Sequence, residues 1–276
     1  MRKIAHLSDL HFGRTDPEVL PALAATIRAA RPDVIVVSGD LTQRAKTREF
    51  AAARDYLATL DFPQVVVPGN HDVPLYNVFR RFVHPLRRYR RFFGDETVPF
   101  HADGEIAIAG VNTARSLTFK DGRLNREQVA HVCRRFEPLD RAVTRIVVTH
   151  HPFEGAGGSD GGVVGRADMA MADFAQCGVD LILSGHLHAS QSGPSDARYR
   201  QAGYAALLVQ AGTATSVRRR GEPNSFNMIE VAPGAVTVAR LAWDEKLAGF
   251  EVAARHHFTK TGGTWAPTPP SRDDRQ

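Results

Sequence analysis

The chain has little that would tie it to a membrane, a disulfide framework or a nucleic acid. Its 276 residues include only two cysteines, Cys133 and Cys177, far apart and each within a stretch of helical pattern. Two scattered cysteines do not make a disulfide framework, so separate thiols in a reducing compartment are expected. No apolar run approaches the roughly 20 residues that cross a bilayer. Met1-Arg2-Lys3 opens like a signal n-region, but Asp9 and His11 interrupt the apolar run that would have to follow. A cytoplasmic protein without a transmembrane segment is expected. A broad excess of one charge is missing too. The formal net charge is +5, and much of it sits in residues 73–100, where six arginines stand against Asp95 and Glu96. The remainder is close to neutral, so stable nucleic-acid binding is not expected.

What is present is a soluble globular composition, 43% hydrophobic and 24% charged, which excludes disorder of the whole. There are no repeats and no internal linker long enough to divide the chain. Residues 1–260 are expected to form a single domain, and 261–276, rich in Gly, Pro and Asp, a flexible tail.

Short β-branched runs alternate with helical patterns through the first 70 residues. Strands at 4–8, 34–38 and 65–67 enclose helices at 17–30 and 49–60, the pattern of right-handed crossovers in a parallel sheet. From Leu75 to Phe93 the apolar residues Leu75, Phe79, Phe82, Leu86, Tyr89 and Phe93 recur at helical spacing, with arginines on the other faces. Pro85 requires a corner near His84. This basic-aromatic segment, 73–100, reads as a cap. Further strands follow at 105–111 and 145–149, a glycine-rich loop at 155–165, a helix at 167–176 and a strand at 181–184. The runs 205–210, 227–231 and 236–243 read as strands of a second, more antiparallel sheet.

Five strands end in the same kind of chemistry: Asp9-x-His11, Gly39-Asp40, Gly69-Asn70-His71-Asp72, His150-His151-Pro152 and Gly185-His186-x-His188. If those strands lie adjacent and parallel, all five ends converge on one edge of the sheet. Carboxylates, an amide oxygen and imidazoles gathered there need a cation to satisfy them. Seven donors are too many for one ion and suit two ions sharing a carboxylate.

As a set, these motifs resemble the signature of the calcineurin-like metallophosphoesterases, over residues 4–188. The resemblance implies an α/β fold, a four-layer α-β-β-α sandwich of two mixed β-sheets flanked by helices. It implies that Asp9, His11 and His188 hold one divalent ion and Asn70, His150 and His186 a second, with Asp40 bridging both. His151 falls at a position the family leaves variable and reads as a neighbour, and His6 as a packing or hydrogen-bonding residue. Imidazole and carboxylate donors suit manganese, iron or zinc. Two such ions lower the pKa of a shared water to about 7, which supports attack on a phosphoester. His71 is then free to assist the leaving oxygen, with Asp72 orienting its ring.

The motifs most resemble the branch of class III cyclic-nucleotide phosphodiesterases and glycerophosphodiesterases. A phosphodiesterase is the leading expectation. The alternatives are a phosphomonoesterase, a lipid or nucleotide pyrophosphatase, and a non-enzymatic scaffold on the same fold. The substrate would be a nucleotide, a glycerophosphodiester or a lipid headgroup. Arg80 and Arg81 in the cap, and Arg218 in the run 218–220, are the candidate substrate contacts. A homo-oligomer is left open.

Overall fold

The computed structural model describes residues 1–75, 78–96, 98–116, 120–155, 157, 161–199, 201, 203–217 and 221–268. β1 (Arg2–Leu7), β2 (Val34–Ser38) and β3 (Gln64–Val67) run parallel, connected by α1 (Val19–Ala30) and α2 (Thr47–Ala58). A single 3-10 turn at Asn70–Asp72 leads to α3 (Val78–Val83) and α4 (Arg87–Phe93), with the corner at the position Pro85 dictates. The chain then builds β4 (Phe100–Ala102), β5 (Ile106–Gly110), α5 (Arg126–Phe136), β6 (Thr144–Val148), α6 (Ala167–Gln176), β7 (Leu181–Ser184), β8 (Gln191–Pro194) and β9 (Leu207–Gln210). It closes with β10 (Ser225–Ala232), β11 (Ala235–Asp244), β12 (Gly249–Thr261) and β13 (Thr264–Thr268).

These strands form two mixed sheets, ordered β13-β12-β11-β10-β1-β2-β3 and β4-β5-β6-β7-β9-β8. Alternation along each strand divides its side chains between two cores. Ile4, Val34, Val36, Ile106, Ile108, Ile146, Val148, Leu181 and Leu183 meet between the sheets. Ala5, Leu7, Ile35 and Val37 face outward under α1, α2 and α4, whereas Ala107, Val147 and Ile182 face α5 and α6. The result is the α-β-β-α sandwich.

The strands at 227–231 and 236–243 do not belong to the second sheet. β10 pairs antiparallel with β1, Ile4 opposite Ile229, and β11 to β13 extend the first sheet from there. Alternation tells which faces a strand buries but not which edge receives it. β12 escapes notice in the sequence because only Phe250 and Phe258 of its 13 residues are buried. The expected tail begins too early, since Thr264–Thr268 is the paired strand β13. Residues 269–276 lie outside the described residues, as do 156 and 158–160 of the glycine-rich segment.

The expectation of separate thiols is also overturned. Cys133 on α5 and Cys177 just beyond α6 form a disulfide, their Cα atoms 5.4 Å apart. Both helices lie on the outer face of the same sheet, which brings together residues 44 apart in sequence. The cytoplasmic expectation loses the support it drew from unpaired cysteines. No helix among the described residues is long and apolar enough to cross a membrane.

Candidate metal centre

The five strand ends do not share one sheet. β1, β2 and β3 of the first sheet and β6 and β7 of the second bring their C-terminal ends together at one end of the sandwich. Hydrogen bonds stitch the loops across that seam. Nδ1 of His150 donates to the Ser38 carbonyl at 2.8 Å, and the His186 amide donates to Asp9 Oδ2 at 3.0 Å. Within the first sheet the Asp9 amide donates to the Gly39 carbonyl and the His11 amide to that of Asp40.

Backbone strain is concentrated in these loops. Asp9, His11, Asp40, His186 and His188 all adopt left-handed φ values, between 49° and 74°. Each such non-glycine conformation costs about 1–3 kcal/mol and persists only where its surroundings enforce it. The strain turns polar side chains inward at the ends of apolar strands.

The seven side chains form two nests. In one, Nε2 of His188 lies 3.2 Å and Nε2 of His11 3.5 Å from Asp9 Oδ1, with the two imidazole nitrogens 3.4 Å apart. In the other, Nε2 of His150 lies 3.0 Å from Asn70 Oδ1 and 3.3 Å from Nδ1 of His186. Asp40 reaches both. Its Oδ2 is 3.7 Å from His11 Nε2, and its Oδ1 is 3.4 Å from His150 Nε2. Donors bound to a common ion at about 2.0–2.2 Å sit about 3–3.5 Å from one another, so these separations fit metal coordination.

Hydrogen bonding alone does not account for the cluster. Asp9 Oδ1 is buried and accepts no hydrogen bond. With the His150 proton on Nδ1, its Nε2 and Asn70 Oδ1 are lone-pair atoms facing each other with no proton between them. Buried acceptors arranged this way are satisfied by a cation. The donor set fits two divalent ions.

The electrostatics favour the same state. Burial works to raise the Asp9 carboxyl, but the imidazoles of His188, His11 and His150 outweigh it and hold Asp9 well below the usual carboxylate range. Asp40 is likewise lowered, burial being outweighed by His150, His71 and His11. Burial pushes His186 down to about 4, so at neutral pH it offers the uncharged imidazole that ligates a metal.

Two further histidines lie beside the candidate ligands without joining them. His6 Nε2 lies 3.0 Å from Ser38 Oγ, and the Ser38 carbonyl in turn fixes the His150 ring. Burial pushes His6 down to about 3, so it acts as a neutral hydrogen-bonding group. His151 has both nitrogens engaged, Nδ1 with Thr113 Oγ1 and Nε2 with the Lys120 carbonyl, each at 2.8 Å. Neither nitrogen is left for an ion.

The proposed link from Asp72 to the His71 ring is not found. Asp72 accepts hydrogen bonds from the amides of Leu41, Thr42 and Gly69 and from Thr42 Oγ1, at 2.9–3.1 Å. It clamps the loop after β2 to the loop after β3. Burial, then the charge of Asp40, raises its carboxyl to about 6. His71 Nδ1 instead lies 2.9 Å from the Gln43 carbonyl. A backbone carbonyl leaves no residue-type signal in a sequence, which is why Gln43 could not be picked out. Asp72→Ala is expected to destabilise the fold by about 3 kcal/mol, because several buried donors lose their acceptor. Urea unfolding checks it, and an unchanged midpoint would refute the clamp.

Of the two substrate contacts expected of the cap, Arg81 is engaged elsewhere. Arg81 is only 3% exposed and donates to the carbonyls of Ser116, Pro74 and Arg115. It is a strut that holds α3. The side chain of Arg80 and the whole of Arg218 lie outside the described residues.

A two-sheet sandwich with paired donor nests around one shared carboxylate defines a metal-dependent phosphoester hydrolase. The calcineurin-like phosphoesterase family model matches residues 2–190, and the chain belongs to that family. It is similar to a probable cyclic nucleotide phosphodiesterase of Synechococcus sp., 26% identical over 255 residues, covering 87% of this chain and 91% of that protein. It is 32% identical over 94 residues to the glycerophosphodiester phosphodiesterase GpdQ of Enterobacter lignolyticus, covering 30% of this chain and a third (33%) of that protein. Among solved structures, a dimetal phosphatase from Danio rerio superposes with a TM-score of 0.66 at 10% identity, over 94% of this chain and 99% of that one. At that identity the likeness speaks for the fold alone.

Proposed function

We propose that the chain is a binuclear-metal phosphodiesterase acting on small diesters, of which nucleotides and glycerophosphodiesters are the leading candidates. Asp9, His11 and His188 would hold one ion, Asn70, His150 and His186 the other, and Asp40 would bridge them. The observation that carries this reading is Asp40, whose two oxygens each face a different nest of donors. Manganese, iron and zinc all accept such mixed imidazole, carboxylate and amide donors. When bound, two such ions supply a water acidified towards neutral pH and a positive clamp for the phosphoryl oxygens. The diester preference draws on the two named relatives, and the intact donor set argues against a decayed scaffold.

The protein's own part in bond cleavage falls to His71. Its amide donates to Asp40 Oδ1 at 2.8 Å, which sets the ring beside the centre, 4.9 Å from the His11 ring between centroids. With Nδ1–H donated to the Gln43 carbonyl, Nε2 is the nitrogen available to carry a proton to the departing oxygen. His71→Ala is expected to keep its metal content and lose about 10²-fold in kcat on esters with poor leaving groups, and much less on activated ones. Equal losses on both would rule out the acid role.

Metal analysis combined with hydrolysis of cyclic nucleotides, glycerophosphodiesters, phosphomonoesters and diphosphates tests the reading. Diesters are expected to be cleaved fastest by metal-loaded protein. Turnover of monoesters or diphosphates alone would overturn it.

A further inference from the structure

α3 is inverted with respect to an ordinary surface helix. Its described apolar residues point outward: Phe79 is 72% exposed, Phe82 52% and Val83 49%. Its described arginine, Arg81, points inward and is tied to three carbonyls. The sequence places an amphipathic stripe from Leu75 to Phe93 on two helices with a corner near His84, without saying which way each half faces. The two halves on either side of Pro85 face opposite ways. Leu86 and Tyr89 of α4 are buried, Tyr89 donating to the Val66 carbonyl at 2.7 Å, while the α3 half faces solvent.

A contiguous face bearing two exposed phenylalanines marks an interaction surface. Its setting selects the partner. The adjoining α4 carries exposed Arg87, Arg90 and Arg91, and His84 at the corner is exposed as well. A second copy of this chain docked by the same face in a two-fold dimer would set arginine cluster against arginine cluster. An anionic lipid surface answers both features, with headgroups for the arginines and an acyl boundary for the phenylalanines.

We propose that α3 and α4 form a docking surface for an anionic phospholipid bilayer. The phenylalanines insert at the acyl boundary and the α4 arginines pair with headgroup phosphates. Arg81, tied to the carbonyls of Ser116, Pro74 and Arg115, holds α3 with its apolar face outward. This goes beyond the diesterase reading. Its measured quantity is binding, so a different substrate would leave it standing.

The test is co-sedimentation of the full, metal-loaded chain with vesicles of phosphatidylcholine alone or with about 30% phosphatidylglycerol. Wild-type protein is expected to bind the anionic vesicles about tenfold better than the neutral ones, with the difference lost at high salt. F79S/F82S and R87Q/R90Q/R91Q are each expected to lose about tenfold in that binding. Both should keep hydrolysis of soluble bis(p-nitrophenyl) phosphate and a melting temperature near wild type, because all five side chains are exposed and none belongs to the donor nests. Three results would overturn the proposal: no binding to anionic vesicles, binding that F79S/F82S leaves intact, or a wild-type dimer that F79S/F82S turns into a monomer.

Discussion

Asp40→Ala is expected to empty both metal positions and to lower kcat by about 10³-fold or more. The size follows from the geometry. Every other donor serves one nest, whereas the two oxygens of Asp40 face His11 on one side and His150 on the other. Removing it also leaves Asp9 as the one carboxylate among the donors, which weakens the remaining coordination. His11→Ala, by contrast, should deplete only the ion held with Asp9 and His188. Elemental analysis of the purified variants separates the cases. Full occupancy in Asp40→Ala, or a loss no larger than that of His11→Ala, would contradict the shared-carboxylate arrangement.

The second large effect is expected from a residue with no side chain. A Cβ added to Gly69 would lie 2.2 Å from Oδ1 of Asp40 and 2.3 Å from its backbone nitrogen. Neither atom can retreat. The nitrogen belongs to a strained loop, and the oxygen accepts the His71 amide and faces His150. Gly69→Ala is therefore expected to cost about 3 kcal/mol in stability and to displace Asp40 from the centre, with metal loss approaching that of Asp40→Ala. Gly104→Ala is the matched control, since nothing lies within 4 Å of its added Cβ. Thermal unfolding with metal analysis tests the pair, and equal behaviour of the two variants would refute the close approach.

The candidate ligands could be read from the sequence because each follows an apolar strand, where a polar side chain has no reason to stand unless it meets another. The layers could be read where β-branched residues run on unbroken, as in Val34–Val37, because such a strand must be covered on both faces. Legibility failed where the deciding atoms belong to the backbone. The carbonyls of Ser38 and Gln43 orient His150 and His71, and any residue type could supply them. It failed again where one buried cation reversed a helix. Nothing in the Leu75–Phe93 pattern reveals that Arg81 would be enclosed by the carbonyls of Pro74, Arg115 and Ser116 and turn the phenylalanines out. Sheet membership failed for a third reason. Strands β10 and β11 carry patterns compatible with either sheet, and only the unfilled edge of β1 decides between them.

That edge has a consequence for how the protein is made. All seven donor residues lie at or before residue 188, within the matched family region 2–190, yet the first sheet is incomplete there. Until the ribosome has delivered β10, Arg2 to His6 present a bare row of amides and carbonyls beside the nascent catalytic end. An exposed edge of that kind recruits foreign strands. A fragment ending near residue 190 would hold all seven candidate donors and still lack the strands that complete the first sheet. Its β1 edge would stay unpaired, whereas in the full chain β10 and the strands beyond it cover that edge.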